Sequence, residues 1–313
     1  MEKRRIGNSS LEIAPLALGG NVFGWTADEP ASFAILDEFV ASGGSMIDTA
    51  DVYSAWAPGH SGGESETVIG RWLKRSGKRD KVVIATKVGM MAGLAPDTIA
   101  AACDSSLERL GVDCIDLYYQ HKDDEAVPLA DSLGAFEDLR RAGKIRAAGL
   151  SNFSAPRIEE AMRIAEAERL KRPCALQPWY NLVEREKLEG PLRDAALSHG
   201  LGILPFYSLA NGFLTGKYRS RDDIGKSVRG TRNMEYLEGR GLRVLAALDE
   251  VAAETGAALA TVALAWTMAQ PGITAPIASA TSLDQLREMV ASLTVELTTA
   301  QIERLNAASA SLS

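Results

Sequence analysis

The chain has 313 residues, 46% hydrophobic and 24% charged, the balance of a globular protein with a core large enough to fold unaided. Its net charge of −7 and pI near 5.2 speak against non-specific nucleic-acid binding, which needs a basic face. No run reaches the roughly 18 apolar residues of a membrane span. The charged start, MEKRRIGNSSLEI, is not followed by the apolar stretch of a signal peptide. Cys103, Cys114 and Cys174 are odd in number and widely spaced, which argues against a disulfide framework or a zinc site. They read as small buried residues of a cytoplasmic protein that engages neither membrane nor nucleic acid. Small anionic ligands stay open, because a local cluster can oppose the average charge.

Residues 4–13 read as a small hairpin turning at Gly7 to Ser9, placed to close the base of the fold. Short apolar runs come next, at 15–18, 46–50, 82–86, 115–119, 147–150, 175–177, 202–206 and 274–277. Most lack the alternation of a half-exposed strand; parallel strands buried on both faces read this way. Between them lie stretches of helical period. Residues 31–41 put Phe33, Leu36, Phe39 and Val40 on one side, and 98–110 place Ile99, Cys103, Leu107 and Leu110 together before Gly111. Residues 129–142 repeat the pattern with Leu133, Phe136 and Leu139 before Gly143. Such alternation leaves a closed barrel or an open doubly wound sheet. LALGGNVFG lacks the spacing of a glycine-rich dinucleotide fingerprint, and polar residues end nearly every strand, so the barrel is favoured.

The expected fold is therefore α/β: a (β/α)8 TIM barrel with an N-terminal β-hairpin and an extra C-terminal helix at 298–308, capped by Thr298 or Thr299. Residues 208–240, rich in Gly, Arg and Asp, are too long for an ordinary connection and read as a functional loop or lid. No linker composition divides the chain, so one domain over 1–313 is expected.

In such a barrel, residues that close successive strands meet at one rim. MIDTADVY carries Asp48 and Tyr53, VVIATK ends in Lys87 and IDLYYQH ends in His121. Tyr53 to Lys87 and Lys87 to His121 are both 34 residues apart, about one strand-helix unit. A phenol, an ammonium, a carboxylate and an imidazole in one small volume suit proton transfer to a carbonyl oxygen. Tyrosine, with a reference pKa of about 10, is a weak acid near neutrality. A neighbouring Lys⁺ is expected to lower that pKa, with the carboxylate holding the ammonium charged and the imidazole aligning the carbonyl. Singly, each residue has a plain use as cap, packing or surface charge; the matched strand ends point to chemistry. Three histidines far apart offer no metal-ligand cluster.

These blocks carry a resemblance. GGSMIDTADVYS, the Lys of VVIATKVG and the His of IDLYYQHKDD resemble the catalytic blocks of the aldo-keto reductase family, and GKIRAAGLSNFS, LQPWYNLVER and FYSLANGFLTGKY extend the likeness over nearly the whole chain. TGKY and GLSNFS are closest to its bacterial and potassium-channel β-subunit-like branches. The resemblance implies a barrel that binds NADP(H) extended, without a Rossmann domain, and reversible metal-free reduction of a small-molecule aldehyde or ketone. It implies Asp48, Tyr53, Lys87 and His121 as the catalytic set, with Tyr53 as general acid and base. By matched position, Ser151, Asn152 and Gln177 resemble the residues that bind the nicotinamide carboxamide, and Tyr207 the aromatic stacked on its ring. SLANGFLTGKY, with Leu209, Asn211 and Lys217, matches the segment that wraps the pyrophosphate. PIASATSLDQLREM, with Ser279, Thr281, Gln285 and Glu288, matches the segment that holds the adenosine phosphate.

That last block departs from the family pattern. Many relatives carry Lys or Arg around positions 279–285, where this chain has none, and Met289 fills a slot usually held by Asn. Arg287, Arg229 and Arg232 are the candidate substitutes for binding a 2′-phosphate. NADP is favoured by the resemblance alone, and NAD stays open. Loops after the first, second, third and sixth strands should line the substrate pocket, with Val22, Phe23, Trp25, Trp56, Met90 and Tyr180 as candidates. The competing reading is a cofactor-binding, redox-sensing regulatory subunit with little turnover.

Overall fold

The computed structural model describes residues 2–227 and 230–310. The chain opens with β1 (Arg4–Arg5) and β2 (Glu12–Ile13), paired antiparallel with Arg4 opposite Ile13. It continues through β3 (Ala17–Gly19), α1 (Glu29–Ala41), β4 (Met46–Asp48), α2 (Glu64–Ser76), β5 (Val83–Val88), α3 (Pro96–Leu110), β6 (Ile115–Gln120) and α4 (Leu129–Arg141). Next come β7 (Ile145–Ser151), α5 (Ala155–Ala167), β8 (Ala175–Gln177), α6 (Pro191–Ser198) and β9 (Gly202–Ile203). The last elements are α7 (Arg240–Thr255), α8 (Leu259–Met268), β10 (Ile277–Ala278), α9 (Leu283–Ala291) and α10 (Thr299–Ser309).

Strands β3 to β10 form one parallel sheet in the order β10-β3-β4-β5-β6-β7-β8-β9. Backbone contacts join its two ends. Ile203 bridges Ile273, Thr274 N donates to Ile203 O at 2.8 Å, and Ile277 N donates to Pro205 O at 2.8 Å. The sheet is the (β/α)8 barrel that the eight apolar runs implied.

Strand parity decides what faces inward. Met46, Ala85, Leu117, Ala147 and Ala175 form one buried cluster with hairpin residues Ile6, Leu11 and Ile13. That cluster fills the lower barrel. Residues of opposite parity, such as Ile47, Ile84, Tyr118, Leu150 and Leu176, pack beneath the helices. Two residues further along their strands, on the inward parity, come Asp48, Lys87, Tyr119 and Gln177. Gly149 stands in register with Tyr119, and a Cβ there would lie 2.4 Å from the Tyr119 ring; the missing side chain makes room for the phenol.

The hairpin presses on the barrel base. Gly7 has φ 49°, and a Cβ there would lie 2.1 Å from Cys174 O and 2.7 Å from Gly200 O and Gly202 N. Arg4 Nη1 donates to Ile273 O at 3.0 Å, and Ala14 N to Ser45 Oγ at 2.8 Å. Gly7→Ala must adopt a disfavoured left-handed backbone and push backbone aside, with overpacking costing about 1–3 kcal/mol. The expected result is a lower urea midpoint at unchanged m-value; an unmoved midpoint means that the hairpin does not bear on the base.

Helix α10 begins where expected, with Thr298 as the cap. Gln301 N donates to Thr298 Oγ1 at 3.3 Å and Thr298 N to Gln301 Oε1 at 2.9 Å, a reciprocal box. Among the described residues, the 208–240 stretch is ordered into short 3₁₀ segments at Ala210–Thr215, Arg221–Lys226 and Gly230–Leu237. Phe213, Tyr218 and Tyr236 anchor it in the core. Helix α7 is a second addition to the barrel, which strand-helix alternation alone does not require. Its Val244, Leu248 and Val251 recur at helical spacing and are buried, and α7 packs on α10. No single helix among the described residues is long and apolar enough to cross a membrane.

Candidate active site

Asp48 closes β4 and Lys87 lies in β5, both on the inward parity, so the two side chains meet inside the rim. Lys87 is 0% exposed and Asp48 1%. An ammonium at such depth needs every proton satisfied, and all three are. Lys87 Nζ donates to Asp48 Oδ2 at 2.7 Å, to Thr49 O at 2.7 Å and to the Tyr53 hydroxyl at 2.9 Å. The other oxygen of Asp48 accepts from Gln177 Nε2 at 2.8 Å. Burial opposes the charge on Lys87, but Asp48 and Tyr53 outweigh it and leave its pKa above the ordinary value.

Tyr53 is half-buried, its ring 4.6 Å from Lys87 Nζ. Burial is the largest influence on the phenol and pushes its pKa up to about 12; Lys87 pulls down and Asp48 pushes up. The net direction corrects the expectation of an acidified tyrosine. Lys87 offsets part of the burial and fixes the oxygen in place. The phenol therefore keeps its proton at ordinary pH.

His121 follows β6, and its backbone N donates to Val88 O at 2.8 Å. Burial, then the nearby Lys87, hold its pKa well below the ordinary 6.5. The imidazole is neutral at neutral pH, with Nδ1 buried and without a partner. Its ring stands edge-on to Tyr53, centroids 6.1 Å apart. Tyr53 and His121 thus present a phenol and a neutral imidazole to one cavity of about 410 Å³, lined also by Asn21, Trp56, Met90, Lys122, Trp179 and Phe206.

Beside this cavity, and sharing Asn21, Tyr207, Ile277 and Ser279 with it, runs a groove of about 530 Å³. Leu209, Asn211, Lys217, Thr281, Gln285 and Glu288 line the groove, while Ser151, Asn152 and Gln177 line the cavity. All the expected cofactor residues therefore fall on one continuous surface. Three non-glycine residues of that surface take the left-handed region, Asn152 (φ 55°), Tyr207 (57°) and Asn211 (54°), a costly conformation that clusters at functional sites. The turn at Asn152 lets Nδ2 reach His121 O at 2.8 Å, and Ser151 Oγ donates to Gln177 O at 2.9 Å. Gln285 Oε1 accepts from Thr281 N at 2.9 Å at the start of α9.

A nicotinamide dinucleotide fits these residues. The groove is continuous with the cavity, Asn211 Oδ1 is buried without a partner, and Gly212 (φ 86°) leaves a cradle that a Cβ would fill, 3.0 Å from Lys217 Cε. Among the described residues, Lys217 is the cation that lines the groove. Of the candidate substitutes for the missing basic residues, Arg287 pairs with Glu38 and Asp284 instead. Arg232 Nη1 donates to the Tyr207 hydroxyl at 3.2 Å, and Arg229 lies outside the described residues.

Three expected pocket residues, Phe23, Trp25 and Tyr180, line neither the cavity nor the groove. Phe23 is fully buried among Val22, Ile69 and their neighbours in the core. Tyr180 is also fully buried, stacked 5.6 Å from Trp266 with its hydroxyl on Glu189 at 2.7 Å. The neighbouring Trp179 lines the cavity instead; it is two residues past Gln177 and keeps its inward parity. Val22 is buried but edges the groove, and Trp25 is half-buried at the rim, its ring 5.5 Å from Trp56. Trp56 and Met90 do line the cavity. Asn21, which accepts from Ser279 Oγ at 2.6 Å, and Phe206 and Lys122 were missed. Asn21 and Phe206 follow or end an apolar run, so the strand-mouth rule that found His121 extends to them, whereas a lysine at such a place reads as solvated.

The pattern of the Aldo/keto reductase family matches residues 15–310. The chain is 34% identical to "Uncharacterized oxidoreductase YrpG" of Bacillus subtilis, over 98% of this chain and 95% of that protein. It is 29% identical to "Aldo-keto reductase yakc [NADP(+)]" of Schizosaccharomyces pombe, over 97% and 90%. It is 30% identical to "Probable voltage-gated potassium channel subunit beta" of Oryza sativa, over 94% and 92%. A family pattern that spans almost the whole chain, on a barrel whose rim joins buried Lys87 and Asp48 to Tyr53, has one meaning: this chain belongs to the aldo/keto reductase family.

Proposed function

We propose that the chain reduces an aldehyde or ketone to the alcohol with NADPH, reversibly, with Tyr53 as the proton donor. The observation that carries this reading is the Lys87 ammonium shared between Asp48 at 2.7 Å and the Tyr53 hydroxyl at 2.9 Å. When bound, the dinucleotide supplies a hydride to the carbonyl carbon. As the C=O π bond breaks, the electron pair moves to oxygen and Tyr53 gives that oxygen its proton. His121, neutral and facing the same cavity, orients the carbonyl by a hydrogen bond. Lys87 stabilises the phenolate left behind until solvent returns a proton. Asp48, itself held by Gln177, keeps Lys87 in place. Ser151, Asn152 and Tyr207 are assigned to the nicotinamide end of the groove, and Leu209, Asn211, Lys217, Ser279, Thr281, Gln285 and Glu288 to the rest. NADP rather than NAD is proposed from the family and the name of the Schizosaccharomyces pombe relative.

The test is consumption of NADPH with 4-nitrobenzaldehyde, read across pH. With the phenol at about 12 and the imidazole pKa well below 6.5, both groups hold their working forms through neutrality. kcat/KM for reduction should be flat there and into mildly alkaline pH. Alcohol oxidation needs the phenolate and should rise about tenfold per pH unit over the same range. No NADPH consumption, or reduction that climbs with pH, would sink the reading. The name of the Oryza sativa relative keeps a regulatory subunit as the second reading. That reading predicts tight NADPH binding with turnover too slow to follow.

A further inference from the structure

The cavity holds one group that carbonyl reduction does not use. Lys122, next to His121, is exposed and lines the cavity beside Trp56, Met90, Trp179 and Phe206. Among the described residues it has neither an ion pair nor a hydrogen bond. Of the carboxylates next along the loop, Asp123 and Asp124 are committed elsewhere, and Glu125 is exposed and outside the cavity lining. Asp123 takes a two-point contact from Arg157 at 2.7 and 2.8 Å. Asp124 accepts from Leu94 N at 2.9 Å and Ala126 N at 3.1 Å, which ties the Met90 loop to the loop after β6. Asp48, the carboxylate in the cavity lining, is already neutralised by Lys87. A chain of net charge −7 therefore turns an unmatched cation toward its candidate substrate.

Resting on the reductase reading above, we propose that the preferred substrate is an aldehyde on a flat apolar frame that carries an anionic group, with Lys122 as the group that recognises the anion. Trp179, Phe206 and Trp56 offer flat apolar walls for the frame, and the cavity is sized for a small compound. The carbonyl would sit by Tyr53 and His121, and the anion near the mouth. An ammonium selects such a ligand by charge rather than by fixed geometry.

The probes are 4-carboxybenzaldehyde and 4-nitrobenzaldehyde, which share ring, length and two terminal oxygens but differ by one charge. The reading is the ratio of kcat/KM for the carboxylate over that for the nitro compound, so that each protein is its own reference. Lys122→Gln should lower the ratio about fivefold, chiefly through KM, as for a solvent-exposed ion pair. Lys122→Glu should lower it further and Lys122→Arg should restore it. In the parent protein the ratio should fall as salt rises, and that dependence should vanish in Lys122→Gln. Quenching of tryptophan fluorescence by 4-carboxybenzyl alcohol gives a reading free of turnover: its affinity should fall in the same order. A ratio and an affinity unchanged across Gln and Glu variants overturn the inference while leaving the reductase reading intact. If neither aldehyde is reduced, that reading fails, and the fluorescence titration still decides whether the cavity prefers an anion through Lys122.

Discussion

Tyr53→Phe should lose carbonyl reduction by about 10²–10⁴-fold in kcat, the usual weight of an oriented general acid, while NADPH affinity and stability change little. The ring stays, with its edge contact to His121 and its place 4.6 Å from Lys87 Nζ. What goes is one O–H, while the Lys87–Asp48–Gln177 contacts around it stay in place. Lys87 keeps Asp48 and Thr49 O, two of its three acceptors, so the cation is not orphaned. Parallel measurements of single-turnover hydride transfer and NADPH fluorescence separate the two effects. Equal rates for parent and variant would remove Tyr53 from the proton-transfer role and leave His121 as the donor to test next. Because burial holds the phenol at about 12, no pH within the protein's stable range should rescue the variant or reproduce its defect in the parent.

Lys87→Met should be costly in a different way. It removes the cation from a pair that is almost wholly out of water and leaves Asp48 charged, 1% exposed, with Gln177 as its one short donor at 2.8 Å and the Tyr53 hydroxyl at 3.5 Å. Breaking one side of a buried pair typically costs about 3–5 kcal/mol, a large part of a stability that rarely exceeds about 15 kcal/mol. Urea unfolding should show it as a lower midpoint. The double variant Asp48→Asn, Lys87→Met removes both charges and should recover much of that loss, since an uncharged pair has no orphaned ion. Activity should not return, because no ammonium remains to hold the phenol oxygen. Stability and activity would then separate. If the double variant is as unstable as the single one, the pair is not an isolated electrostatic unit.

The two variants also show which parts of the site were legible in the sequence. Asp48, Lys87 and His121 end or follow apolar runs, and a strand end is a local feature: the run stops where a polar side chain must leave the core. Barrel topology then brings distant positions to one rim, so the matched spacing carried real information. The groove residues Ser279, Thr281 and Gln285, which lie between β10 and the first turn of α9, were named only through the family resemblance of their segment. The places of Tyr180 and Phe23 were not legible. Which of two adjacent aromatics faces the cavity depends on parity beyond the strand end, and Trp179 inherits it from Gln177. Lys122 was passed over because a lysine after a strand reads as solvated until its neighbours' carboxylates are seen to be committed.

The order of apolar runs and the polar residues at their ends determined the barrel, the hairpin beneath it and the meeting of Asp48, Lys87 and His121 at one rim, because alternation and strand length are local properties of the chain. Only the folded arrangement decided that α7 joins α10 outside the ring, that Tyr180 belongs to the core, and that Tyr53 is a weaker acid than a free tyrosine. Those outcomes turn on how much water each group loses. Burial is set by what packs around a residue from everywhere else in the chain.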